Sequence, residues 1–250
     1  MKEPAVRRAT PHGIRVLVLD VGGTNVKVGA TGHRVLRKFR SGSDMTPEHL
    51  VSGVHEITQD WQYDVLSIGY PGPVLRGMPA ADPHNLGPGW VGFDYERFFN
   101  RPVRIVNDAA MQAMGSYVDG KMLFLGLGTG LGSAFIVDGI LTSTELGHLP
   151  YKNGTFENYV GKRGLKKYGI KKWQRAVDDV VARLIAALQP DDVVLGGGNV
   201  HKLKTLPPGC RLGDNKNAIL GGFRLWESGT TAACRLCKTE LHRDRTLRAA

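Results

Sequence analysis

The chain has 250 residues, with 33 Lys and Arg against 23 Asp and Glu, a formal charge of +10. Apolar residues at 42% and charged residues at 22% exclude a disordered polar chain and leave enough material for a sizeable core. Three cysteines are too few for a disulfide framework at this length, which points to a reducing, cytoplasmic setting.

Residues 1–13 are polar and basic and contain no apolar signal core. The longest uncharged stretch, 122–137, is too short and too glycine-rich for a membrane span. The charge excess predicts an anionic partner: nucleic acid, a phosphate ligand or a membrane surface.

In chain order, the apolar run 14–20 predicts a buried strand. Gly22-Gly23-Thr24 breaks it, and Val26, Val28 and Ala30 alternate with polar or small residues in a second strand of a hairpin. A third strand is predicted over 35–39. Residues 46–61 read as a helix, with Leu50, Val54 and Ile57 at helical spacing behind a Thr46-Pro47-Glu48 cap. A strand over 65–69 precedes a Pro- and Gly-rich loop at 70–92, a length that is usually functional. Next come a strand at 103–106, a helix at 108–117, and a second hairpin from 122–127 and 133–137 around Gly128-Thr129-Gly130. Residues 176–188 form an amphipathic helix with Val177, Val180, Val181, Leu184, Ile185 and Leu188 on one face. A short strand at 193–195 runs into Gly196-Gly197-Gly198, a helix is expected over 215–226, and the last dozen residues are polar. Each half opens with a glycine-turn hairpin, so two similar α/β halves are expected: 14–108, then 109–230, followed by a tail at 231–250.

Asp20-Val21-Gly22-Gly23-Thr24 and Gly126-Leu127-Gly128-Thr129-Gly130 share one logic. Glycines let backbone amides approach phosphate oxygens, and Thr adds a hydroxyl donor. Asp20, at a strand end, is placed to hold a hydrated Mg²⁺. A tight hairpin also calls for glycine. Gly196-Gly197-Gly198 at a strand's carboxyl edge leaves room for a flat ring such as adenine, or makes an ordinary turn.

Asn107-Asp108 opens a helix. Asp108 there suits a general base for a substrate hydroxyl; the alternative is a helix N-cap, a place that Asn and Asp fill routinely. Glu145-Leu146-Gly147-His148 places a carboxylate and an imidazole three residues apart, suited to vicinal hydroxyls or simply to solvent.

These motifs, together with Pro71-Gly72-Pro73, Asn107-Asp108-Ala109, Leu127-Gly128-Thr129-Gly130-Leu131-Gly132 and Leu195-Gly196-Gly197-Gly198, resemble those of the ROK sugar kinases, and within them the polyphosphate/ATP glucokinase branch. Their order matches from about residue 15 to about residue 226. The resemblance implies an actin-like ATPase (ribonuclease H-like) α/β fold of two domains around a cleft. It implies transfer of a terminal phosphoryl group from polyphosphate, ATP or both to the 6-hydroxyl of glucose, with Mg²⁺, by a homodimer. It assigns Asp108 as catalytic base and Gly72, Asn85, Asn107, Glu145, His148 and Glu157 to the sugar. Gly22, Gly23, Thr24, Gly128, Thr129 and Gly130 match the phosphate loops, Gly196 and Gly197 the adenosine side, and Lys27 a phosphate contact.

Two departures stand out. Residues 149–161 contain no cysteine, so the zinc cluster of most ROK kinases is not expected, as in the polyphosphate branch. Ala110 replaces the polar residue usual after Asn-Asp-Ala.

Residues 162–175 hold Lys162, Arg163, Lys166, Lys167, Lys171, Lys172 and Arg175, no acid, and the aromatics Tyr168 and Trp173. Such a segment suits a solvated helix face, nucleic acid or, given the resemblance, a polyphosphate track. The partners expected are therefore glucose and a phosphoryl donor, with no nucleic acid and no membrane. Cys234-x-x-Cys237 has only Cys210 and His242 nearby as further candidates for a four-ligand zinc site, and it reads as packing residues or exposed thiols. The rivals are a strictly ATP-dependent kinase for fructose or mannose, a non-catalytic sugar sensor, and a ROK repressor. About thirteen residues before the first strand are too few for a repressor's helix-turn-helix domain.

Overall fold

The computed structural model describes residues 13–214 and 216–227. The tail at 231–250, with Cys234 and Cys237, lies outside the described residues. The chain opens with β1 (Val16–Val21), β2 (Asn25–Ala30) and β3 (Arg37–Arg40), an antiparallel meander about the first glycine turn. Helix α1 (Pro47–Ile57) starts at Thr46, whose hydroxyl accepts the His49 amide, with Pro47 in the first turn where no amide is needed.

Strand β4 (Val65–Tyr70) pairs parallel with β1, and β7 (Val103–Asn107) pairs parallel with β4. Between them the long loop is well built. It carries the small hairpin β5 (Val74–Leu75) and β6 (Met78–Pro79), then the short helix α2 (Tyr95–Phe99). Its anchor is Trp90, fully buried, whose indole donates to the Gly87 carbonyl at 2.6 Å. Asp82 accepts the Trp90 amide at 2.9 Å, and the Gly87 amide donates to the Met45 carbonyl at 2.9 Å, so the loop is tied both to itself and to the approach of α1.

Helix α3 (Asp108–Ser116) leads to the second sheet. There β8 (Lys121–Leu127), β9 (Leu131–Val137) and β10 (Ile140–Thr144) form another antiparallel meander. A small hairpin, β11 (Pro150–Tyr151) and β12 (Gly154–Thr155), and helix α4 (Phe156–Val160) precede the long α5 (Lys162–Leu188). Strand β13 (Asp192–Gly196) then pairs parallel with β8, and β14 (Cys210–Leu212) with β13. The two sheets run β3-β2-β1-β4-β7 and β10-β9-β8-β13-β14, the same order twice. Asp20 and Gly126, which head the two glycine turns, sit at matching ends of β1 and β8.

Four elements differ from the periodicity reading. α5 begins fourteen residues before the apolar stripe at 176, because its first part is polar and is held by packing, not by amphipathic spacing. It changes direction at Gly169 (φ 73°), a left-handed backbone that a side chain rarely adopts. Strands β10 and β14 are short, half-exposed sheet edges without a readable pattern. The last helix, α6 (Asn217–Arg224), does not pack on the second sheet that precedes it. Ala218 and Ile219 pack with Val16, Val18 and Val65 of the first sheet and with Met111 of α3. The α3–α6 pair thus lies between the sheets, while Ala109, Ala110 and Ala113 pack on Met122, Phe124 and Ala134 on the other side. The pair crosses closely because Gly115 faces the Asn217 backbone and Gly221 faces the Met111 carbonyl. Among the described residues, no helix is long and apolar enough to cross a membrane.

Candidate active site

The first glycine turn is closed by the Gly22 amide donating to the Asn25 carbonyl at 3.1 Å. Ser41, unnoticed in the sequence, braces it from behind. Its hydroxyl donates to the Gly22 carbonyl at 2.5 Å and its amide to the Thr24 carbonyl at 3.1 Å. Asn85 comes from the long loop to the same turn: a Cβ on Gly23 would lie 3.3 Å from the Asn85 Cβ. Asp20 is buried, and Lys27 Nζ lies 3.0 Å from its Oδ2.

Asp108 is the first residue of α3, but it is not the cap. Asn107 takes that role, its Oδ1 accepting the Ala109 amide at 2.9 Å. The Asn107 side-chain amide donates to the Gly72 carbonyl at 3.0 Å, which ties the Pro71-Gly72-Pro73 turn to the head of α3. Asp108 is left half-buried with its carboxyl pushed up to about 6. Loss of solvent is the main cause. The Ala109 amide, donating to Oδ1 at 2.7 Å, pulls the other way, and the negative charges of Asp20 and Glu145 raise it further. The charges of Asp20 and Glu145, from the two halves, are thus both felt at Asp108.

Glu145 and His148 are exposed, one just before and one at the end of a single 3-10 turn (Leu146–His148). Ser133, almost fully buried on β9, holds this loop: its hydroxyl donates to the Thr144 carbonyl at 2.9 Å and accepts the Leu146 amide at 3.0 Å. A Cβ on Gly147 would lie 2.7 Å from the Leu131 carbonyl, so only glycine fits there. Glu157, in the first turn of α4, places Oε1 3.9 Å from His148 Nε2, and its carboxylate lies against Gly130. The sugar-assigned residues of the second half thus border the second glycine turn.

That turn is gripped from two sides. The Lys162 amide donates to the Gly128 carbonyl at 3.0 Å and the Thr129 carbonyl at 3.1 Å. Asn199, also absent from the sequence reading, donates its side-chain amide to Gly128 O and its backbone amide to Leu127 O, both at 2.8 Å. The adenosine-side glycines divide. Gly196 is buried against the Phe124 ring, Gly197 (φ 84°) lies against the Leu127 backbone, and Gly198 is the one with open space around it.

Lys162, Arg163, Lys166, Lys167, Lys171 and Lys172 are all exposed. Trp173 is not part of that surface; it is fully buried, its indole donating to the Val160 carbonyl at 2.7 Å. Tyr168 instead stacks on Tyr159, with ring centres 5.1 Å apart and Lys167 Nζ 5.1 Å above the ring. Among the described residues, no group of three His, Cys, Asp or Glu side chains is arranged to hold a metal ion. Mg²⁺ that arrives with phosphates needs only a carboxylate or two from protein. Asp20 fits that need, because its Oδ1 makes no hydrogen bond to a described residue.

Two sheets of repeated topology, each presenting a glycine turn, with the raised carboxyl of Asp108 at the head of the helix that joins them, define the actin-like ATPase class of phosphate-handling folds. The sequence pattern of the ROK family matches residues 16–168, more than half of the chain, and the protein belongs to that family. It is 28% identical over 223 residues to a polyphosphate glucokinase of Mycobacterium leprae, covering 80% of this chain and 68% of that one. The fold is similar to that of an inorganic polyphosphate/ATP-glucomannokinase from Arthrobacter sp. strain KM, with a TM-score of 0.70 and 21% identity over 85% of this chain and 98% of that one. A ROK family transcriptional regulator, a homologue of the E. coli MLC protein, also reaches 0.70 at 16% identity, covering 86% of this chain and 78% of that one. Fold likeness alone therefore does not separate kinase from regulator; the site must.

Proposed function

We propose that this protein is a hexokinase that transfers the terminal phosphoryl group of polyphosphate, ATP or both to the 6-hydroxyl of glucose. The observation that carries the reading is Asp108: a carboxyl held near pH 6, beside Asp20 of the first turn and within reach of Glu145's charge. A sensor or regulator gains nothing from a base poised there, whereas a kinase needs one to orient and accept the hydroxyl proton.

Phosphoryl transfer depends mostly on positioning and charge neutralisation. Asp108 accepts the proton of the attacking hydroxyl. Asn107, Gly72, Asn85, Glu145, His148 and Glu157 frame the sugar, so that a sugar lacking the right hydroxyl leaves polar groups unpaired. The two glycine turns hold the donor phosphates from either side, with Lys27 adding positive charge at the first. Mg²⁺, held through water by Asp20, would supply neutralisation of the donor's phosphate charge.

For the donor, the basic face of α5 supports polyphosphate. The Lys162 amide touches the second glycine turn, and the cations continue away from it to the kink. Beyond Gly169, Lys171 and Arg175 join Lys204 in a groove of about 340 Å³ floored by Gln174 and Thr205. Gln174 fixes the groove, donating to the Thr205 carbonyl and accepting the Lys204 amide at 3.0 Å. None of these three cations has an ion-pair partner among the described residues.

The deciding assay supplies the full-length protein with glucose and Mg²⁺, and in turn ATP, GTP and long-chain polyphosphate, following glucose 6-phosphate. No product with any donor overturns the reading; fructose or mannose outperforming glucose overturns the sugar. For the track, polyphosphate KM should rise steeply with salt and on charge reversal of Lys166 and Lys167, and ATP KM much less. Equal responses of the two donors remove the track.

A further inference from the structure

We infer that Asn199 is a positioning residue for the donor's phosphates, acting by locking the carbonyls of the second glycine turn away from them. The inference rests on the phosphotransferase reading for its catalytic consequence, though not for its binding consequence.

In a trans peptide the C=O of one residue and the N–H of the next point in opposite directions. The described chain has no cis peptide. Two adjacent carbonyls of the turn are drawn inward. Gly128 O accepts both the Asn199 side-chain amide at 2.8 Å and the Lys162 backbone amide at 3.0 Å. Thr129 O accepts the same Lys162 amide at 3.1 Å. The Thr129 and Gly130 amides must therefore face outward, and neither donates to a described residue. Thr129 itself is exposed. Two successive outward amides make a concavity that favours an anion.

Asn199 suits this task. It is only 8% exposed, so its amide has no water to prefer. Its own backbone amide is tied to Leu127 O at 2.8 Å, which fixes the side chain's origin. The three preceding glycines let the chain fold back to within van der Waals reach of Leu127; a Cβ on Gly197 would lie 2.7 Å from that backbone. Aspartate would place a carboxylate against a carbonyl oxygen. Alanine would leave Gly128 O with one donor in place of two and free the peptide to rotate.

The test measures binding of inorganic tripolyphosphate to the full-length protein by calorimetry, together with KM for donor and for sugar. Asn199→Ala and Asn199→Asp should each weaken tripolyphosphate tenfold or more and raise donor KM by a similar factor, with sugar KM within twofold of the parent. Unchanged tripolyphosphate affinity overturns the inference, as does a parallel rise of both KM values with a fallen Tm, which would mark a merely structural role. Should the Asn199 variants fail to fold, Lys162→Pro tests the same carbonyls. Proline is accommodated at the first position of a helix and removes only the amide donor there. Compared with Lys162→Ala, which loses the same charge, it should bind tripolyphosphate more weakly; equal affinity overturns the inference. A parent protein that binds tripolyphosphate with this Asn199 dependence yet phosphorylates no sugar would sink the kinase reading and leave this one standing.

Discussion

Lys27 and Asp20 face each other directly across the β1–β2 ladder, with Nζ 3.0 Å from Oδ2. Because Asp20 is one of the charges that raise the Asp108 carboxyl, Lys27 reaches Asp108 through it. Lys27→Met should leave Asp20 uncompensated and move the acidic midpoint of kcat/KM above that of the parent. Asp20→Asn should move it below. A pH–rate series on the three proteins checks this; shifts of the same sign, or none, would contradict the coupling.

Asp108 itself should set the acidic limb of the parent, half-maximal near pH 6, because the base works only when ionised. Asp108→Asn should cut kcat by a factor of 10²–10⁴ while glucose binding survives. An unchanged rate would defeat the assignment of the base.

The same carboxyl makes a stability prediction with a definite sign. The folded value lies above the unfolded one, 3.8, so the folded state holds its proton more tightly. Stability from this group is present below about pH 4 and is lost as pH rises through about 6. Asp108→Asn, always neutral, should therefore melt a few degrees above the parent at pH 7.5, with the gap closing toward pH 4. Thermal melts at both pH values decide it; a gap that widens at low pH would reverse the argument.

Asn107 does two jobs through different atoms, and they can be separated. Asn107→Ser keeps a capping acceptor for the Ala109 amide but loses the donor to Gly72 O. It should retain Tm and raise glucose KM. Asn107→Ala loses both and should also cost about 1 kcal/mol of stability, the usual value of a cap. Equal Tm losses in the two variants would contradict the division.

At the α3–α6 crossing, Gly221→Ala would drive a methyl group into the Met111 carbonyl. Backbone cannot yield as a side-chain tip can, so destabilisation of several kcal/mol is expected, with urea midpoints as the measure. Ala218→Gly, on the same helix but relieving no overlap, should cost far less. Similar losses would show that the crossing is not so tight.

Much of the candidate site's local geometry was readable because its motifs are short. Both glycine turns, Asn107-Asp108 and the Glu145–His148 segment lie where their spacing placed them. Residues that act from behind were not readable. Ser41, Ser133 and Asn199 are single polar residues whose partners are backbone carbonyls and amides far off in sequence, and a serine or asparagine alone carries no such signal. Trp173 shows the opposite failure: its place among lysines looked like surface, yet burial, which sequence spacing across the Gly169 bend could not report, put it in the core.

The amino-acid sequence by itself determined the repeated hairpin-and-helix order, the two glycine turns, the excess of positive charge and the family likeness, because each of these depends on residue type and local spacing. Only the tertiary structure decided that Asn107 and not Asp108 caps α3, that α6 returns to the first sheet, and that two turns over a hundred residues apart are braced by Ser41 and Asn199. The cap is settled by which of two adjacent side chains reaches the Ala109 amide, and the helix return and the two braces by long-range packing that no local pattern encodes.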